Sequence, residues 1–80
     1  MIGTKDNILS EMQPIFREVL ENEQIEIQEQ TSANDLEEWD SVSHLMLLHA
    51  LEGHFKVKFE LREIMQFGNV GDIIQSILSK

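Results

Sequence analysis

The run from Ser41 to Phe55 constrains the fold most, because it opens on an Asp-Ser pair and continues with apolar residues at helical spacing. Leu45, Leu48, Leu51 and Phe55 share one face of the helix this spacing predicts, with Val42 and Leu47 at its borders. Met46, His49 and Gly53 fall largely on the other side. Asp40 is the N-cap, since its carboxylate can accept from the free backbone N–H groups of the first turn. Ser41 then holds the first helical position, with its hydroxyl at the positive end of the helix dipole. A phosphate ester built on that hydroxyl would sit where anions are favoured. Such a serine suits modification by another protein better than catalysis of its own.

The remaining segments read as helices that hold this one. Ile8, Leu9, Met12, Ile15, Phe16, Val19 and Leu20 recur at three- and four-residue spacing and predict a first helix over residues 5–21, capped by Thr4 or Asp6. Pro14 lacks an N–H and crowds the carbonyl of Ser10, so a kink or restart is expected there. Residues 22–39 are polar and without helical period, which predicts a long loop whose Ile25, Ile27 and Leu36 dip into the core. Lys56 to Phe59 alternates and reads as an extended connector, with Val57 or Phe59 turned inward. Glu60 to Gln66 predicts a short helix with Leu61, Ile64 and Met65 as its apolar side. Asn69 caps a last helix that carries Val70, Ile73, Ile74, Ile77 and Leu78. The expected fold is all-α: a small four-helix bundle with three longer helices, one short helix and a long loop between the first and second. Leu45, Leu48, Leu51, Phe55, Phe59, Ile64 and Ile74 are its expected core residues.

Composition narrows the function. Eighty residues make one small domain with a modest core, too small for a deep private active site. Six Lys and Arg against fifteen Asp and Glu give a net charge of −9, which argues against nucleic acid and favours basic protein partners. The chain lacks cysteine, so it has neither a disulfide nor a thiolate zinc site. No apolar run spans a membrane, and the N-terminus carries no basic-then-apolar signal pattern; a cytoplasmic protein is expected. No second apolar face is evident, so a monomer is expected.

Two chemical readings fail. His44, His49 and His54 recur every five residues, and five residues are about 140° apart on a helix, so they do not converge as metal ligands do. Asp40, Ser41 and His44 invite a triad, since His44 lies one turn beyond Ser41 and could approach its hydroxyl. No oxyanion-hole element or substrate pocket accompanies them.

Asp35-Leu36-Glu37-Glu38-Trp39-Asp40-Ser41-Val42 resembles the Asp-Ser-Leu or Asp-Ser-Met signature of acyl carrier proteins. The run Leu45 to Phe55, the connector to Phe59, the short Leu61 to Met65 helix and Asn69-Val70-Gly71-Asp72-Ile73-Ile74 are similar to that family in order and spacing. The resemblance covers nearly the whole chain, residues 1–80 as a single carrier-like domain, and is strongest from Leu36 to Leu78. It implies that Ser41 carries phosphopantetheine, transferred from coenzyme A by a magnesium-dependent phosphopantetheinyl transferase, with Asp40 as the motif acid. The arm's thiol then holds an acyl group as a thioester, sequestered between helices and offered to acyl-transferring or acyl-modifying enzymes. The protein itself is a carrier, not an enzyme. The resemblance also implies docking through the second helix and its flanks, where Glu37, Glu38 and Glu52 supply charge and Val42 and Met46 apolar contact to basic patches on partners. Val42 departs from the usual Leu or Met, and Ser43, Met46, His49 and Gly53 stand at exposed positions usually rich in acids. A specialised fatty-acid, lipid or polyketide-type pathway is therefore expected. An aminoacyl or peptidyl carrier and an unmodified helical interaction domain are the alternatives.

Overall fold

A computed structural model describes residues 4–80; residues 1–3, where the segment read for a signal pattern begins, lie outside the described part. Among these residues four α-helices follow in order, α1 Lys5–Val19, α2 Ser41–Phe55, α3 Leu61–Gln66 and α4 Val70–Leu78, with a 3₁₀ turn at Ala33–Asp35 in the long loop. Among the described residues there is no β-strand, only an isolated bridge between Ser32 and Asn69. The all-α architecture with three longer helices and one short one matches the expectation from spacing.

Helix α1 starts where Thr4 accepts from the Asn7 N–H and runs through Pro14 as one element. The restart expected at Pro14 does not occur. Pro14 is exposed, while Ile8, Met12 and Phe16 on the opposite side are fully buried. The chain leaves α1 through Glu21, whose φ of 55° turns it into the left-handed region.

The loop from Asn22 to Trp39 is extended but well tied. Ile25 and Ile27 are buried, as their isolated apolar character suggests. Their backbone is satisfied by α1: Gln13 Nε2 donates to the Ile27 carbonyl at 2.7 Å, the Ile27 N–H donates to Gln13 Oε1 at 2.9 Å, and Arg17 Nε donates to the Ile25 carbonyl at 2.7 Å. Further along, the Val70 and Gly71 N–H groups donate to the carbonyls of Thr31 and Glu29. Gly71 allows that approach, since a Cβ there would lie 3.1 Å from the Glu29 oxygen.

One apolar cluster fills the interior, built from Ile8, Met12 and Phe16 of α1, Leu47, Leu48 and Leu51 of α2, and Val70, Ile73, Ile74 and Ile77 of α4, with loop residues Ile25, Ile27, Trp39 and Phe59 closing it. Two expectations need correction. Leu45, expected in the core, is 56% exposed, while Leu47, expected at its border, is fully buried. Helix α2 is apolar on more than one side, so periodicity alone mislocated the buried face by a fraction of a turn. Phe55 and Ile64 are half-buried at the edge of the cluster rather than inside it. Helix α2 continues through Gly53 and ends at Phe55, with Lys56 in the left-handed region at φ 57°.

Candidate functional site

The head of α2 is built by two side chains, Asp40 and Ser43. Asp40 Oδ1 accepts from the Val42 N–H at 3.0 Å and from the Ser43 N–H at 2.9 Å, as an N-cap should. Ser43 closes a capping box: its Oγ accepts from the Asp40 N–H at 2.8 Å and donates to the Glu38 carbonyl at 2.7 Å. These bonds to the charged form, led by the Ser43 N–H, hold the Asp40 carboxyl below the ordinary range. Glu38 is likewise lowered, chiefly because the Asn22 amide donates to it. The anion favoured at this helix end is therefore Asp40 itself. A phosphate on Ser41 would share the dipole with that carboxylate rather than collect the first-turn donors, which refines the sequence expectation.

Ser41 is exposed at the first position of α2, and its side chain makes no hydrogen bond among the described residues. His44, one turn on, does not turn towards it. Trp39 Nε1 donates to His44 Nδ1 at 3.0 Å, and His44 Nε2 lies 2.9 Å from the Ile64 carbonyl. An indole N–H only donates and a carbonyl only accepts, so His44 is the neutral tautomer with its proton on Nε2. Both ring nitrogens are committed, and neither is available as a base for Ser41. The triad reading fails on this geometry. Among the described residues no three His, Asp or Glu side chains converge as metal ligands.

Trp39 is the site residue that periodicity missed. It is 4% exposed, packs edge-on against Phe16 at 5.2 Å and stacks on His44 at 5.9 Å. The signal was present: Trp39 precedes the cap and His44 is the fourth helical residue, the two positions joined by a hydrophobic staple. Ser43 was missed as well, because capping boxes usually carry Glu or Gln at its position.

Beside Ser41 an apolar groove of about 500 Å³ opens between α2 and α3. Leu45, Leu61 and Met65 form its walls, and Trp39, His44 and Ile64 also line it. On the other flank Val42 and Met46 project outward, 67% and 55% exposed, next to Glu38. Glu37 is exposed nearby. Glu52 is placed differently: its Oε2 accepts from the Phe59 N–H at 2.8 Å, which ties the end of α2 to the connector.

The family described as phosphopantetheine attachment site matches residues 10–77, which include this whole arrangement. The chain belongs to the acyl carrier protein family. A solved relative, the solution NMR structure of the holo acyl carrier protein from Geobacter metallireducens, is 42% identical, with a TM-score of 0.84 over 91% of this chain and 84% of that one. No curated protein matches the chain. This carrier is therefore not itself a catalyst, and phosphopantetheine is its covalent group. A phosphopantetheinyl transferase and acyl-handling enzymes are its general partners. No described helix is long and apolar enough to cross a membrane.

Proposed function

We propose that Ser41 is the attachment point of the arm. The observation that carries this is an exposed serine hydroxyl, free of internal hydrogen bonds among the described residues, on a rigidly capped helix end beside an apolar groove. The residues fit the group: Asp40 and Ser43 fix the backbone on either side of Ser41, and Leu45, Leu61 and Met65 offer apolar surface alongside it. When bound, phosphopantetheine supplies a terminal thiol that holds acyl groups as thioesters. In the loading step Ser41 Oγ forms a bond to the coenzyme A phosphorus as the pyrophosphate bond breaks and adenosine bisphosphate leaves. The hydroxyl proton passes to a base of the transferase, because His44 has no nitrogen to offer.

Docking involves Val42 and Met46 with Glu37 and Glu38, a pairing of exposed apolar and acidic groups suited to a basic, partly apolar patch. Glu52 belongs less to this surface, being held by the connector. The outward side of α2 carries Met46, His49 and Gly53 rather than acids, which supports a dedicated fatty-acid, lipid or polyketide-type pathway over general service. Residues 1–80 act as one domain, a reading supported by the one buried cluster found among the described residues, and as a cytoplasmic monomer.

Intact mass tests the assignment. Incubation with coenzyme A, magnesium and a broad-specificity phosphopantetheinyl transferase is expected to add one phosphopantetheine to the wild type and none to Ser41→Ala. Transfer that persists in Ser41→Ala, or no gain in a folded wild type, would sink it.

A further inference from the structure

We infer that His44 bolts α2 to α3 at the floor of the groove, so that the acyl cargo of this carrier lies in the open groove rather than in the helix bundle. This rests on Ser41 as the attachment point. The groove is the apolar space beside Ser41, and an acyl chain would have to pass between α2 and α3 to reach the core. His44 and Ile64 both line the groove and are joined by a 2.9 Å hydrogen bond that crosses from α2 to α3. Trp39, which also lines the groove, is 4% exposed, bonded to the other nitrogen of the same ring and packed on Phe16 of α1. Passage would strip His44 Nε2 and the Ile64 carbonyl of each other in a half-buried setting, and unsatisfied polar groups are costly there.

The outer walls offer the cargo an alternative. Leu45, Leu61 and Met65 are 56%, 67% and 77% exposed around the groove, so apolar surface is available without opening the bundle. Helix α3 is held to its neighbours partly by polar ties, His44 to Ile64 and Glu63 to Ser76 and Lys80. The position of α3 therefore depends on the bolt. The cargo class that follows is short acyl groups, or acyl groups that partners handle without extracting them from a core.

The test compares acetyl and octanoyl forms, made by transferring the arm from acetyl- and octanoyl-coenzyme A and verified by intact mass. Thioester cleavage by hydroxylamine is followed, together with backbone amide NMR shifts of Leu48, Ile74 and Ile77. In the wild type the two thioesters are expected to cleave at the same rate, with core amides unmoved by chain length. In His44→Ala, which removes the bolt and opens space that a chain can enter, octanoyl is expected to be protected several-fold over acetyl and the core amides to shift. His49→Ala, which removes an exposed histidine of α2 that does not line the groove, should behave as the wild type. Several-fold protection of octanoyl in the wild type overturns the inference even if His44→Ala does not fold, and a folded His44→Ala without length-dependent protection overturns the role of His44. Failure to gain the arm at all would instead overturn the Ser41 assignment, and the inference with it.

Discussion

Asp40 organises two backbone N–H groups and the Ser43 hydroxyl at the head of α2, so its removal should be felt as lost capping. Asp40→Ala is expected to lower the urea midpoint of the domain, and Asp40→Asn to lower it less, because the amide oxygen can still accept. Urea unfolding of the three proteins checks this. Glu63 gives a second prediction at this scale. The Glu60 N–H, the Ser76 hydroxyl and the Lys80 ammonium hold its carboxyl down to about 2 from an ordinary 4.5. A carboxylate with a depressed folded value stabilises the fold fully above its unfolded value and loses that contribution as pH falls through the folded one. The stability difference between wild type and Glu63→Gln should be full at neutral pH and shrink as pH falls from about 4.5 towards about 2. An unchanged difference across that window would contradict the assignment. The Asp40 cap was legible because capping is a local rule. The direction of His44 was not, because its acceptor is a carbonyl twenty residues away in sequence.

Elements whose boundaries are set locally were legible in the same way. Helix α2 begins and ends where Asp40 and Phe55 place it, and α4 starts after Asn69, which accepts from the Asp72 N–H. The buried face of α2 was not, since a helix apolar on several sides gives periodicity no single answer, and Leu45 belongs to the outward surface beside Ser41. The long loop shows the other limit. Its polar sequence suggested a loop with a few inward isoleucines but not what orders it, and the answer lies on α1, where Gln13 substitutes for a partner strand along Ile27. Gln13→Leu leaves a partly buried N–H and carbonyl unsatisfied and is expected to cost about 1–3 kcal/mol. Hydrogen exchange at the Ile27 amide should rise more in this variant than at the core amides of α4. Equal changes at both would mean that the loop and the helices open together.

At the scale of the whole molecule, a net charge of −9 sits on a body with a Cα radius of gyration of only 11.3 Å. Among the described residues most carboxylates lack a Lys or Arg partner. Among the described residues the Lys and Arg side chains form three ion pairs with carboxylates, Lys5–Glu29, Arg62–Glu60 and Lys80–Glu63, and the first two are largely exposed. Exposed pairs contribute little, so the balance of surface charge is repulsive and works against the compact state. At physiological ionic strength the screening length is about 8 Å, comparable to the radius of the molecule, and it shortens further as salt is added. Added salt therefore relieves repulsion across the whole surface while weakening only a few pairs. The melting temperature is expected to rise with sodium chloride, and to rise with potassium chloride by a similar amount, since screening depends on ionic strength rather than on the cation. A fall in melting temperature would mean that the exposed pairs outweigh the repulsion. A rise confined to one cation would point to specific binding instead. The same field that destabilises the isolated domain favours its encounter with a basic partner, so association with such a partner should slow as salt is added while the domain itself becomes more stable. Opposite signs for the two salt dependences are what a surface kept acidic for docking, at some cost in stability, requires.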